Sequence, residues 1–168
     1  MRLRDYAKED SAIIAGWIKD EKMLYDWSAD CIGKYPLSEN DLDDYYVSYG
    51  KTTKIVPLSM VDEEGRLCGH FFIRFPKEED KSIVRFCFVI INPALAGQGK
   101  GKEMIRLAVD YAKDVLNATK ITLGVFAKND SAKYCYQAVG FQTTGEVITY
   151  KTKLGELECF EMERLIES

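Results

Sequence analysis

The sequence is poor in metal ligands: its 168 residues include a single histidine, His70, and no Cys-x-x-Cys pair. That excludes the common zinc spacings. The five cysteines, Cys31, Cys68, Cys87, Cys135 and Cys159, are odd in number and scattered. They argue against a disulfide framework and for free, mostly buried thiols in a reducing compartment. No apolar run nears the ~20 residues that span a bilayer. The opening Met1-Arg2-Leu3-Arg4-Asp5-Tyr6 lacks the apolar stretch of a secretory signal. A cytoplasmic protein without a membrane partner is the expectation. Basic charge is short as well, with 23 Lys and Arg against 27 Asp and Glu, a net charge of −4. Nucleic acid is therefore not the expected partner, since phosphate backbones need a concentrated basic surface. One local patch, Lys100, Lys102 and Arg106, departs from that balance. Repeats, low-complexity tracts and linkers are absent. One compact domain over residues 1–168 follows, large enough to bury roughly 70% of its unfolded surface.

What is present is a change of hydrophobic period along the chain. Arg2 to Tyr6 alternates like a short strand. Asp10 is placed to cap a helix carrying Ile13, Ile14, Trp17 and Ile18 on one stripe. A second helix is expected from Glu21 to Trp27, then a loop from Cys31 to Pro36. Ser38 and Asp41 have capping-box spacing before a helix through Tyr45 and Tyr46. From Lys54 the period becomes two. Lys54 to Val61 and Leu67 to Pro76 flank the turn Asp62-Glu63-Glu64-Gly65 as a hairpin, and Ser82 to Ile91 reads as a central strand. A helix follows from Gly99 to Leu116, with Ile105, Ala108, Ala112 and Val115 on its apolar stripe. Then come a strand at Ile121–Phe126, a helix at Asp130–Ala138 capped by Asn129, and a hairpin of 141–153 with 156–164. The fold class is α+β, with one central mixed, mostly antiparallel sheet flanked by helices.

The chemistry concentrates in Ala96-Gly97-Gln98-Gly99-Lys100-Gly101-Lys102, between a buried strand and an amphipathic helix. Alternate glycines clear side chains from the backbone. The helix start offers unpaired N–H groups and positive partial charge, so an anion such as diphosphate can settle there. A phosphate-binding Walker loop would need glycine where Ala96 stands and Ser or Thr where Glu103 stands. A dinucleotide fingerprint would need glycine at Lys102 or Met104. Both fail.

The loop, following Val89-Ile90-Ile91-Asn92-Pro93, instead resembles the acetyl-CoA loop of the GNAT superfamily of N-acetyltransferases, whose pattern is Q/R-x-x-G-x-G/A. A second block, Asn129-Asp130-Ser131-Ala132 through Tyr136 to Gly140-Phe141, is similar to that family's N-x-x-A-x-x-x-Y-x-x-x-G-F. The likeness covers residues 82 to 141 and departs at Ala96, where the family has Arg or Gln. Lys100 or Lys102 is then the replacement charge. The resemblance implies a GNAT-like fold and acetyl-CoA as cosubstrate, held by Gly97, Gln98, Gly99, Lys100, Gly101 and Lys102. The pantetheine arm would lie against the backbone of Val89, Ile90 and Ile91 like an added strand. Asn129 would touch that arm or serve only as a helix cap. Tyr136 would donate to the departing thiolate, or else pack in the core.

The implied activity is acetyl transfer to a primary amine of a small molecule or protein, by direct attack in a ternary complex of a monomer or homodimer. A catalytically weak or inactive acyl-CoA-binding module is the alternative. A base is needed, because alkyl amines are protonated at neutral pH. Where some relatives carry glutamate this chain has Ile83-Val84-Arg85-Phe86, and guanidinium does not deprotonate. Water, Glu21, Asp26 or Asp30 remain. His70, on an apolar strand, reads as a core histidine. Trp17, Tyr25, Asp26, Trp27 and Asp30 form an aromatic and acidic set suited to a cationic acceptor.

Overall fold

The computed structural model describes residues 1–167. The chain runs β1 (Arg2–Asp5), α1 (Asp10–Trp17), α2 (Glu21–Ser28), α3 (Asp41–Tyr49), β2 (Ile55–Val61), β3 (Leu67–Arg74) and β4 (Ile83–Ile91). After a 3₁₀ turn at Pro93–Leu95 come α4 (Lys100–Asp114), β5 (Lys120–Phe126), α5 (Asp130–Ala138), β6 (Gln142–Thr152) and β7 (Gly155–Leu165). The strands form one seven-stranded sheet in the order β1-β2-β3-β4-β5-β7-β6. Every pairing is antiparallel except β4 with β5. That single parallel step follows from the connection, since α4 must cross over the sheet before β5 can enter beside β4.

Strand alternation sorts side chains onto two cores. Phe71, Val84, Phe86, Ile121, Leu123 and Val125 meet Met104, Ile105, Ala108 and Ala112 of α4. Phe72, Ile90 and Val61 face the other way, onto Ile14, Trp17, Leu24, Leu42 and Tyr46 of α1 to α3. Period-two burial thus gives the two-sided sheet expected of its central strands.

Several local expectations are corrected. Asp10 does not cap α1 but is its first residue, with Glu9 at the cap and no side-chain cap bond there. Its carboxylate is recruited inward by Arg4, which grips both oxygens at 2.7 Å. Ile13 is 47% exposed and lies off the stripe that buries Ile14 and Trp17, and Val115 is 57% exposed because α4 has already ended. The Ser38–Asp41 box forms by half: Asp41 Oδ2 accepts from the Ser38 amide at 2.7 Å, while the cap position is Asn40. Only Cys68 and Cys159 are buried, and all five thiols are free.

His70 is fully buried, as a core histidine should be. Ser59 spends its hydroxyl proton on Asp10 Oδ2 at 2.7 Å. Its oxygen therefore accepts from Nδ1 of His70 across a long 3.4 Å, and Nε2 accepts from the Tyr46 hydroxyl at 2.6 Å. A polar chain, Arg4–Asp10–Ser59–His70–Tyr46, so ties β1, α1, β2, β3 and α3 together. Burial lowers the His70 pKa from 6.5 to about 3, so the folded protein keeps it neutral.

The sign of the linkage is fixed by that depression. Above pH 6.5 neither state takes the proton. Below it the unfolded chain does and the folded chain does not, until about pH 3. Relative to His70→Gln, the natural protein should lose about 2 kcal/mol of stability between pH 7.5 and 5, at ~1.4 kcal/mol per pH unit. Urea titrations at several pH values check this. Parallel curves for the two proteins would mean that His70 is solvated or charged in the fold.

Candidate active site

The site begins with a failure of pairing. β4 and β5 run in register from Ile83 opposite Lys120 to Phe86 opposite Leu123, and there the ladder stops. Both strands continue, β4 to Ile91 and β5 to Phe126. Among the described residues nothing pairs with Cys87–Ile91 on the β5 side, so that edge keeps free backbone donors and acceptors inside the sheet.

On its other side β4 bulges. Cys87 pairs with Phe72 and Ile90 with His70, so Phe88 and Val89 stand opposite Phe71 alone. Phe88 adopts φ +52°, a left-handed conformation that costs a non-glycine residue of order 1–3 kcal/mol. Aromatic packing holds it there: Phe72 at 5.0 Å, Tyr45 at 5.2 Å and Trp27 at 5.6 Å between ring centroids. The bulge bends β4 away from β5 and keeps the gap open.

A cleft of about 270 Å³ fills the gap, with Cys87 to Ile91 as one wall and Gly124 to Phe126 as the other. Asp26 and Trp27 of α2 reach it from one face, Asn129 and Tyr136 of α5 from the other. Ile91 also lines a second cavity of about 400 Å³, shaped by Gly97, Gly99, Gly101, Lys102 and Tyr134. The two spaces therefore share Ile91 at the end of β4.

The second cavity lies at the loop where an anion is expected to bind. Asn92 Oδ1 accepts from the Ala94 amide at 3.0 Å and starts the turn. Gly97 and Gly99 both sit at φ +74°, and a Cβ added to either would meet only open space. The chain there is bent around a vacant volume rather than against protein. α4 starts at Lys100, so its first amides point into that volume with the helix's positive end. Gln98 departs from the expectation. Its side-chain amide donates back to the Ala94 carbonyl at 3.2 Å, and it does not line the cavity. Lys100 is held by Glu103 at 2.9 Å, which leaves Lys102 as the less encumbered charge.

Tyr136 is 5% exposed, packs in the core beside Phe141 and also lines the cleft. Asn129 caps α5 by accepting from the Ala132 amide at 3.1 Å, and this fixes the helix turn that carries Tyr136. Among the described residues the Tyr136 hydroxyl has no hydrogen-bond partner. Burial pushes its pKa well above the usual 10, so it remains a protonated donor. Val89, Ile90 and Ile91 do line the cleft, while Ile90 is buried among α1 to α3 and Val89 and Ile91 pack toward α4 and α5. Their backbones, not their side chains, are what the cleft offers.

Of the aromatic and acidic set, Asp26 and Trp27 alone reach the cleft. Trp17 and Tyr25 are 7% and 8% exposed core residues, and Asp30 and Glu21 point to solvent elsewhere. Asp26 is paired with Lys22 one turn earlier. Sequence reasoning missed Glu161. This buried carboxylate of β7 binds Arg85 through both oxygens, at 2.5 and 2.8 Å, across Gly124 of β5. A Cβ at Gly124 would lie 2.6 Å from the Cys159 sulfur, 3.0 Å from Arg85 and 3.2 Å from Glu161, so Cys159 and the pair together need glycine there. Arg85 is thus neutralised at the rung where the strands part.

These features agree with what is known of other proteins. Residues 21–141 match the acetyltransferase (GNAT) family. A stretch of 60 residues is 37% identical to the spermidine N(1)-acetyltransferase of Escherichia coli K12, covering 36% of this chain and 32% of that protein. The Vibrio cholerae enzyme of that name is 35% identical over a stretch of the same length, covering 35% of it. The aligned stretch thus spans about a third of these curated relatives. Over 97% of the chain, the fold superposes on 94% of the Vibrio cholerae spermidine N-acetyltransferase solved with CoA and spermine, with a TM-score of 0.79 at 22% identity. Another structure of that protein is described as dodecameric. The family match over residues 21–141, which include the glycine loop, the parted strands and the Tyr136 helix, covers most of the sequence: the chain belongs to the acetyltransferase (GNAT) family.

Proposed function

We propose that the protein is an acetyl-CoA-dependent N-acetyltransferase, one cytoplasmic domain that acetylates a primary amine of a small molecule, with polyamines the first acceptors to test. One observation carries this reading. The unpaired edge Cys87–Ile91 runs from the glycine-loop cavity into the cleft that Tyr136 lines, a path suited to a diphosphate, an amide-bearing arm and a thioester in that order.

In this reading the amides at Gly97 to Lys102 hold the diphosphate, Lys102 adds charge, and the arm bonds to the backbone of Val89 to Ile91. Asn129 acts through α5 as its cap. The amine lone pair attacks the thioester carbonyl carbon, and the C–S bond then breaks. Tyr136 donates its proton to the leaving thiolate and recovers one from solvent. The proton lost by the amine passes to water in the cleft, whose lining includes the Asp26 carboxylate. Glu161, with both oxygens on Arg85, is not that base. The spermidine specificity named for the relatives and the position of Asp26 and Trp27 support a cationic acceptor. The working unit is proposed as a monomer or homodimer, which sedimentation tests directly.

Gly99→Val places a branched side chain in the open volume at φ +74°. It should weaken acetyl-CoA binding at least about tenfold by calorimetry, the affinity scale of ~1.4 kcal/mol. Unaltered affinity in a folded variant would remove the loop from the site. Tyr136→Phe should lower kcat by about ten- to a hundredfold while KM for acetyl-CoA holds. A kcat within about twofold would leave Tyr136 a packing residue. Asp26→Asn should raise KM for a polyamine with kcat little changed, the pattern of lost uniform binding, measured by CoA release. A neutral or anionic preferred acceptor, or an unmoved KM, would leave Asp26 as rim charge. A free-thiol assay that shows no CoA release over a broad amine panel, with acetyl-CoA bound, would favour the inactive binding module.

A further inference from the structure

A third cavity, of about 240 Å³, lies at the far end of the sheet from the glycine loop, where β3 ends and the chain turns toward β4. It shares no lining residue with the cleft or with the loop cavity. One wall is the turn after α3, which the Tyr49 carbonyl fixes. That oxygen accepts from the amides of Thr52 and Thr53 at 3.1 and 3.0 Å and from the Thr52 hydroxyl at 3.2 Å. Lys54, Arg74 and Lys81 line the cavity, and among the described residues none of them forms an ion pair. Glu78, the one acid in that lining, is exposed and pairs with none of them. The charges are also held in place. Lys54 Nζ sits 5.0 Å from the centroid of the buried Phe75 ring. Arg74 is half-buried and stands directly opposite Arg85 in the β3–β4 register. Like charges so placed cost stability. Glu161 answers Arg85 with both oxygens, while no carboxylate answers Arg74. The Arg74 guanidinium instead lies near the Cys87 thiol and the Tyr45 hydroxyl, lowering their pKa values against the larger upward effect of burial.

We propose that this cavity binds a compact oxyanion of two or more negative charges, a phosphoryl group or a small polycarboxylate, with Arg74 as its central ligand and Lys54 and Lys81 beside it. The planar fork of a guanidinium matches two oxygens of such a group, and the ammonium groups add point charges. A protein of net charge −4 has no general attraction for anions, so the local sign comes from these three side chains. Size limits the ligand as well. Drug-sized sites run roughly 300–1,000 Å³, and this cavity is smaller. The occupant is an effector rather than the acceptor, since it touches none of the residues that line the cleft. It neutralises the cation that opposes Arg85, one rung before the β4–β5 ladder ends at Phe86. Nothing in this site depends on the acetyl-transfer reading.

Residue-resolved amide NMR of the whole chain tests this, with inorganic phosphate and citrate titrated separately at constant ionic strength. At least one of them should give saturable shifts at Thr52–Lys54, Arg74, Phe75 and Lys81, and the tighter of the two identifies the oxyanion class. Arg74→Gln should weaken that binding at least about tenfold, the scale of one lost charge-assisted contact. Arg74→Lys keeps the charge without the fork and should fall between the two. Lys54→Gln with Lys81→Gln should weaken it by a similar factor. Shifts at Gly97–Lys102 report the loop cavity separately and should be unmoved by Arg74→Gln. Three results would overturn the inference: no saturable shift at the cavity residues with either anion, a shift that chloride reproduces at equal ionic strength, or unaltered affinity in a folded Arg74→Gln. A protein that binds phosphate or citrate here but no acetyl-CoA would overturn the proposed function and leave this site standing.

Discussion

The rest of the site depends on the ladder between β4 and β5 ending four residues into their shared course, at Phe86 and Leu123. A parallel pair that continued would consume the backbone of Cys87–Ile91 and leave no space between core strands. Two features keep it from doing so. The Phe88 bulge, held at a positive φ by three aromatic rings, turns β4 away. The Arg85–Glu161 pair spans β5 at Gly124, just past the last rung, and ties β4 to β7 over the strand between them. Strain and a buried charge pair both cost stability, and both sit where the fold must stay open.

That opening gives the other parts their use. The glycine loop is suited to an anion because α4 begins there, and its cavity shares Ile91 with the cleft. Tyr136 lines the cleft as well as packing in the core because α5 is set by its Asn129 cap at the gap. The buried chain from Arg4 to Tyr46 works at a distance. It fastens α3 to β3, and Tyr46 packs on Phe72, which in turn meets the strained Phe88.

Local chemistry was legible in the sequence. The loop, the Asn129 cap, the termination at Gly140 and the alternation of the central strands all depend on neighbours within a few residues, and the family resemblance came from those same stretches. What escaped depended on distant partners. Glu161 lies 76 residues from Arg85, and nothing near either signals their meeting. The bulge has no glycine to announce it, since packing rather than backbone preference holds Phe88. Asp10 was read as a cap because that rule is local, and Arg4 overrode it through tertiary contact. Trp17 and Tyr25 looked like an acceptor wall only because aromatic composition does not tell core from cleft.

The central claim is that an acyl-CoA arm completes the unpaired edge of β4. Amide hydrogen exchange, resolved residue by residue with and without acetyl-CoA, tests it most directly. The account predicts new protection at amides within Cys87–Ile91 that face the gap, together with the first amides of α4, and little change along the paired stretch Ile83–Phe86. Saturating acetyl-CoA that leaves the exchange of Cys87–Ile91 unaltered would contradict it.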